Sequence, residues 1–159
     1  MSLEEFLQEW NNDSPYVEVK TSGSTGEPKR MLVEKQRMRA SARITCDFLG
    51  LKAGDTALLC MSLDYIAGKM MVVRAIERNL KLVVVEPSGH PLAAQICQEW
   101  DLRSFRPLLA SPNLGEELAA MVPMQVYNSL QVPEERERLK QIKHLIIGGG
   151  AIDEAMASR

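Results

Sequence analysis

The sequence predicts an alpha/beta layered fold with a largely parallel sheet flanked by helices. Short, unbroken apolar runs at 56–61, 81–85 and 143–147 have the character of strands covered on both faces. Between them lie stretches with helical periodicity, and Gly, Pro and Asn clusters mark the junctions. Strands and helices in alternation favour parallel pairing with helices packed over the sheet. A chain of 159 residues has the length of about one domain and can bury roughly two thirds of its unfolded surface.

Near the N-terminus, Leu3, Phe6, Leu7 and Trp10 recur at helical spacing behind Ser2, a capping residue. Glu4 and Glu5 fall in the first turn, where the helix dipole favours acids. Asn11, Asn12, Asp13, Ser14 and Pro15 form a turn, 16–20 alternates as a strand, and 30–34 reads as a second strand. Residues 35–49 lack Gly and Pro and carry Met38, Ala42, Thr45 and Leu49 on one helical face, with Gly50 as the C-terminal cap. After a turn at 51–55 and the strand at 56–61, residues 65–78 are helical and apolar nearly all round, which predicts burial between layers.

Strand 81–85 is broken by Glu86, Pro87, Ser88 and Gly89. Leu92, Ile96 and Trp100 stand four apart and predict a helical stripe, while 105–110 is open between strand and loop. Residues 117–122 read as a strand, and 124–130 as a helix opened by Pro123 at a first-turn position. The charged run 133–140 reads as a solvated face or linker, 143–147 as a buried strand leading into three glycines, and 152–158 as the start of a helix. In such sheets ligands gather beyond the carboxyl ends of the strands, which is where 86–89 and 148–151 are expected.

The 45% hydrophobic and 25% charged fractions are ordinary for a globular protein, and a formal net charge of −2 carries no electrostatic footprint for nucleic acid. Apolar runs are too short to span a bilayer, and the N-terminus is acidic where a signal peptide is basic. No membrane association and a cytoplasmic location are therefore expected. Cys46, Cys60 and Cys97 stand singly among apolar residues and read as buried thiols. His90 and His144 have no Cys or carboxylate partner at ligand spacing, so both are assigned structural or solvated roles, and no metal site is expected.

The densest chemistry lies at 20–30. Thr21, Ser22, Ser24 and Thr25 supply hydroxyls, Gly23 and Gly26 let backbone N–H groups approach an anion, and Lys29 adds a mobile charge. By composition alone this is equally a Ser/Gly-rich turn between two strands. It is not a Walker A loop, because Glu27 and Pro28 separate Gly26 from Lys29. Thr21 through Lys29 resembles, at each fixed position, the phosphate loop of the adenylate-forming superfamily of acyl-CoA ligases, luciferases and adenylation domains, which reads Thr-Ser-Gly-Ser/Thr-Thr-Gly-x-Pro-Lys. Arg30 stands where that family usually has Gly.

Two further stretches are similar to the same family. Residues 59–68, with Tyr65 where the family often has His and with Gly68 in the following helix, resemble the segment beside its acyl pocket. Six residues past Gly68, Arg74 matches an Arg that contacts a substrate carboxylate in the o-succinylbenzoate-CoA ligase branch, although Ala67 replaces a small hydroxyl residue found there. By sequence alone Arg74 equally snorkels to the surface or pairs with an acid such as Glu77. Lys69 lies about 140° away around the helix, so the two cations are not expected to share surroundings. Gly148, Gly149, Gly150 and Ala151 resemble the Gly-Gly-Ala segment that lines the adenine and acyl pocket.

The resemblance implies an ATP-dependent acid-CoA ligase: a carboxylate attacks the ATP α-phosphate, giving an acyl-adenylate and pyrophosphate, and the coenzyme A thiol then attacks the adenylate. Thr21, Ser22, Gly23, Ser24, Thr25, Gly26 and the catalytic Lys29 would hold the phosphates. Gly148, Gly149, Gly150 and Ala151 would line the nucleotide, and Tyr65 and Arg74 would meet the acid. The implied cofactors and partners are ATP with Mg²⁺, coenzyme A and a small carboxylic acid. The family's magnesium-binding Glu, ribose-binding Asp and mobile C-terminal lid have no counterpart in residues 1–159, which therefore read as a single incomplete domain. Two other expectations stay open: a non-catalytic nucleotide-binding module, and a homo-oligomer formed through apolar surfaces that the missing parts would cover.

Overall fold

The computed structural model describes residues 1–21, 29–93, 97–102, 106–111 and 117–147. Ser2 accepts a hydrogen bond from the Glu5 N–H at 3.1 Å and so caps α1 (Leu3–Trp10), which buries Leu3, Phe6, Leu7 and Trp10 as its spacing predicts. Strands β1 (Tyr16–Thr21) and β2 (Lys29–Glu34) pair antiparallel, with Thr21 opposite Lys29. The expected phosphate loop thus spans the end of a hairpin. Its residues Ser22, Gly23, Ser24, Thr25 and Gly26 lie outside the described residues, as do Gly148, Gly149, Gly150, Ala151 and the helix expected at 152–158. Arg30 has a partner of its own, an ion pair of 3.6 Å with Glu18 across the hairpin.

Helix α2 (Lys35–Leu49) ends at Gly50, whose φ of 67° lies in the left-handed region that glycine adopts without strain. Its buried line is Lys35, Met38, Ala42 and Cys46, rotated slightly from the expected Thr45 and Leu49 face because the core lies on the Cys46 side. Then come β3 (Thr56–Leu59), α3 (Ile66–Arg78), β4 (Lys81–Val84), a 3-10 turn at Pro91–Ala93, β5 (Cys97–Asp101), β6 (Arg106–Ser111) and β7 (Leu118–Met121). The chain continues through α4 (Pro123–Leu130), α5 (Pro133–Gln141) and β8 (His144–Ile147).

The second sheet has the strand order β6-β5-β4-β3-β7-β8. Its four strands from β4 to β8 run parallel, and β5 and β6 add an antiparallel edge. Alternate residues of each central strand feed two separate cores. Ala57 and Leu59 of β3, Leu82 of β4, and Leu118 and Ala120 of β7 face a cluster shared with α1, β1, α2 and α3. Leu58, Val83, Ala119 and Met121 face the opposite cluster, covered by Leu92, Val126 of α4 and Leu139 of α5. Both faces are filled, which explains why these strands read as unbroken apolar runs.

Two expectations are corrected. The stripe of Leu92, Ile96 and Trp100 is not a helix: Leu92 sits in the 3-10 turn and Trp100 in β5, opposite Leu82. A spacing of four fits a period of two as well as one of 3.6, so the pattern could not separate strand from helix. Of the two readings of the charged run 133–140, the linker is corrected and the solvated face holds: it is a helix in which only Glu135 is buried. Pro133 opens it, Glu134 and Glu135 occupy its first turn, and Arg138 and Lys140 its last, the arrangement that complements a helix dipole. The open stretch 105–110 resolves as β6.

Candidate functional site

A cavity of about 390 Å³ opens at the carboxyl ends of β3, β4 and β7. Three segments wall it: Cys60, Met61 and Ser62 after β3, continuing to Tyr65 and Ala67; Pro87, Ser88 and Gly89 after β4; and Val122, Met124 and Gln125 at the start of α4. None of these side chains is charged. The segment 86–89 therefore falls where the parallel sheet predicts a ligand-facing turn.

The turn before α3 is tight. A Cβ on Gly68 would stand 2.3 Å from the Ser62 carbonyl oxygen, closer than any real side chain approaches, so only glycine lets the first turn of α3 close against that carbonyl. Tyr65, half-buried at the N-cap of α3, faces the cavity, and its backbone forms a parallel bridge with Lys20 of β1. That bridge brings the strand entering the Ser/Gly-rich loop to the cavity rim. Four residues further on, Lys69 is buried. Its Nζ donates to the Glu18 carbonyl at 2.7 Å, lies 3.5 Å from the Glu9 carboxylate and stands over the Phe6 ring. The hairpin is thus fastened to α3 at two points.

Gln125 joins the walls. Its side chain is almost wholly covered; Nε2 donates to the Cys60 carbonyl at 3.0 Å and to the Ser88 carbonyl at 2.8 Å, and Oε1 accepts from the Val122 N–H at 3.0 Å. Beside it, Asn128 Nδ2 donates to the Gly89 carbonyl at 3.1 Å. His90 Nδ1 lies 3.0 Å and 3.2 Å from the two carboxylate oxygens of Glu135, which is itself buried, and Arg138 donates to the Leu92 carbonyl at 2.6 Å. His90 therefore has a carboxylate partner, but one 45 residues away.

Arg74 is absent from the residues that line the cavity. It lies on the α2 side of α3: its guanidinium is 3.6 Å from Met71 Sδ, its carbonyl faces the Cys46 thiol, and its Nε is buried without a hydrogen-bond partner. Burial, rather than any neighbouring charge, lowers its pKa. Glu77 does not pair with it, being taken by Arg39 and Arg43 of α2. Lys69 and Arg74 do have separate surroundings, as their angular offset predicts. Lys29 is exposed at the start of β2. Among the described residues no three His, Cys, Asp or Glu side chains converge as a metal site.

Cys60 and Cys46 are buried free thiols, as expected, while the Cys97 side chain lies outside the described residues. Burial pushes the Cys60 thiol up to about 12 and raises that of Cys46 as well. Sequence reasoning passed over Gln125, Asn128 and the His90–Glu135 pair. A glutamine three residues into a helix opened by proline was a capping signal that could have singled out Gln125.

No protein-family model matches the chain. It is 28% identical over 152 residues to the 2-succinylbenzoate-CoA ligase of Enterococcus faecalis, covering 96% of this chain and 28% of that protein. The crystal structure of an acyl-CoA synthetase (AMP-forming)/AMP-acid ligase II-like protein from Dyadobacter fermentans superposes with a TM-score of 0.75 at 32% identity, over 97% of this chain and 39% of that one. Over nearly its whole length the chain is similar to members of the adenylate-forming superfamily. It spans well under half the length of either relative. ATP-bound MatB from Rhodopseudomonas palustris shares the superfamily fold at 15% identity, with a TM-score of 0.57 over 82% of this chain and 23% of that one. Within the adenylate-forming fold, the hairpin, the cavity and the parallel sheet of this chain are parts of the N-terminal domain.

Proposed function

We propose that this chain is the part of an ATP-dependent acid-CoA ligase that holds the ATP phosphates and the acyl group, in a cytoplasmic enzyme. The observation that supports the reading is the Lys20–Tyr65 bridge, which joins the end of β1, where the Ser/Gly-rich stretch begins, to a residue that lines the cavity. In the reaction, a carboxylate whose acyl body occupies the cavity attacks the α-phosphate, pyrophosphate leaves, and the coenzyme A thiol displaces AMP. What the chain contributes is position and charge: Lys29 and the loop hydroxyls and N–H groups draw the leaving phosphates, while the cavity excludes water from the acyl carbon. The described residues contain no cluster of acids for magnesium, so no step is assigned to it here.

Two acids are in question. o-Succinylbenzoate is favoured by the Enterococcus relative, while Arg74, with its unpaired buried Nε, is on the helix that begins at the cavity but lies on the α2 side, outside the cavity lining. Another acyl or aryl acid is favoured by the described residues of the cavity wall, which present no charge to a second carboxylate. The test is ATP–pyrophosphate exchange by the full-length protein. Exchange dependent on an added acid and abolished by Lys29→Ala is expected; exchange indifferent to Lys29 would sink the reading. Arg74→Leu then separates the acids, raising the KM for o-succinylbenzoate by tenfold or more only if Arg74 pairs with its carboxylate.

A further inference from the structure

The wall formed by residues 86–93 has little secondary structure of its own, yet four side chains of α4 and α5 hold it. Gln125 grips the Ser88 carbonyl, Asn128 the Gly89 carbonyl, Glu135 the His90 ring and Arg138 the Leu92 carbonyl. Of the four, only Gln125 lines the cavity, and only Gln125 also reaches the opposite wall, at the Cys60 carbonyl. Both of its N–H donors and one of its acceptor lone pairs are committed, each to a different segment. A buried amide with three fixed partners has one working geometry, and the distance between those partners is the distance between the walls.

We propose that Gln125 is a positioning residue that sets the width of the cavity, so that α4 and α5, rather than the loop they hold, determine the size of acyl group accepted. Replacing it with an apolar residue of similar length leaves two buried carbonyls unpaired, and the Ser88 wall is released while the sheet beneath is untouched. The kinetic part of this inference rests on the ligase reading; the structural part does not.

Two measurements on the full-length protein test it. Hydrogen exchange of the 86–93 amides in Gln125→Leu is expected to quicken by about tenfold, the factor that one lost buried hydrogen bond corresponds to, with exchange in β1 and β2 unchanged. In pyrophosphate exchange with straight-chain carboxylates of increasing length, the preferred length should move. The KM for the acid should rise about tenfold while the KM for ATP stays within twofold. Gln125→Glu, which keeps the acceptor and loses both donors, should behave like Gln125→Leu, and Asn128→Leu should give a smaller change confined to the same loop. Amide exchange that is unaltered, or that rises uniformly along the chain, overturns the proposal, as does local loosening with an unchanged length preference. If the wild type exchanges pyrophosphate with no acid, the ligase reading falls, and the amide exchange alone decides whether Gln125 holds the wall.

Discussion

Strands β2, in the hairpin, and β3, in the sheet that carries the cavity, are built differently. Five of the six β2 residues are exposed, whereas three of the four in β3 are buried. The hairpin offers Val17 and Val19 of β1 to the core, and Leu32 of β2 stands 66% exposed. Leu58 of β3 is wholly enclosed between the sheet and α4. The difference is one of support: the cavity sits on a doubly covered sheet whose geometry is fixed by packing, while the hairpin is covered on one face, where Val17 and Val19 join the core, and is tied to α3 by the Lys20–Tyr65 bridge and the Lys69–Glu18 hydrogen bond.

Substitutions can break this contrast at either end. Leu58→Ala should cost the most, about 3 kcal/mol, since an enclosed leucine is lost from a sheet that cannot collapse around the gap; urea unfolding will read it. Lys69→Met should cost about 2 kcal/mol, because the Glu18 carbonyl and the Glu9 carboxylate lose their buried partner, and hydrogen exchange should show the loss concentrated in β1 and β2.

A smaller, pH-dependent effect belongs to the sheet side. The Cys60 thiol stays protonated in the folded state up to about 12, against an ordinary value of 9.0 when exposed. Between those values only the unfolded chain releases the proton. The contribution is therefore intact below pH 9 and is lost as pH rises, by at most about 1.4 kcal/mol per pH unit. Cys60→Ala should flatten that slope in unfolding measured from pH 8 to 10.5. Smallest of all, Leu32→Ala on the exposed strand should change stability by less than about 0.5 kcal/mol; a cost matching that of Leu58→Ala would erase the contrast.

The parallel core was legible in the sequence because burial on two faces writes itself as unbroken apolar runs, and α1 and α2 because caps and periodicity agreed. The strand at Cys97–Asp101 was not, since a spacing of four satisfies both periods. Nor was α5, whose single buried carboxylate, Glu135, lies inside a run of charge. Tyr65 and the turn at 86–89 were singled out by motif and by sheet logic, and Tyr65, Pro87, Ser88 and Gly89 do line the cavity. The capping signal at Gln125 was local, but its links to Cys60 and Ser88 and the His90–Glu135 pair stayed hidden for a different reason: those partners lie 65, 37 and 45 residues away, beyond any local pattern.

Helix α3 touches both halves of the site within five residues. Tyr65 at its N-cap faces the cavity and bridges Lys20, and Lys69 one turn later grips the Glu18 carbonyl of the same strand. On the proposed reading, an acid that displaced the first turn of α3 would move the end of β1 with it. Thermodynamic reciprocity then requires that whatever factor the acid imposes on phosphate affinity, the phosphates impose on the acid. On that reading the order in which acid and ATP bind would alter the route but not the affinity of the final complex, and the buried ammonium of Lys69 would be one joint of the coupling.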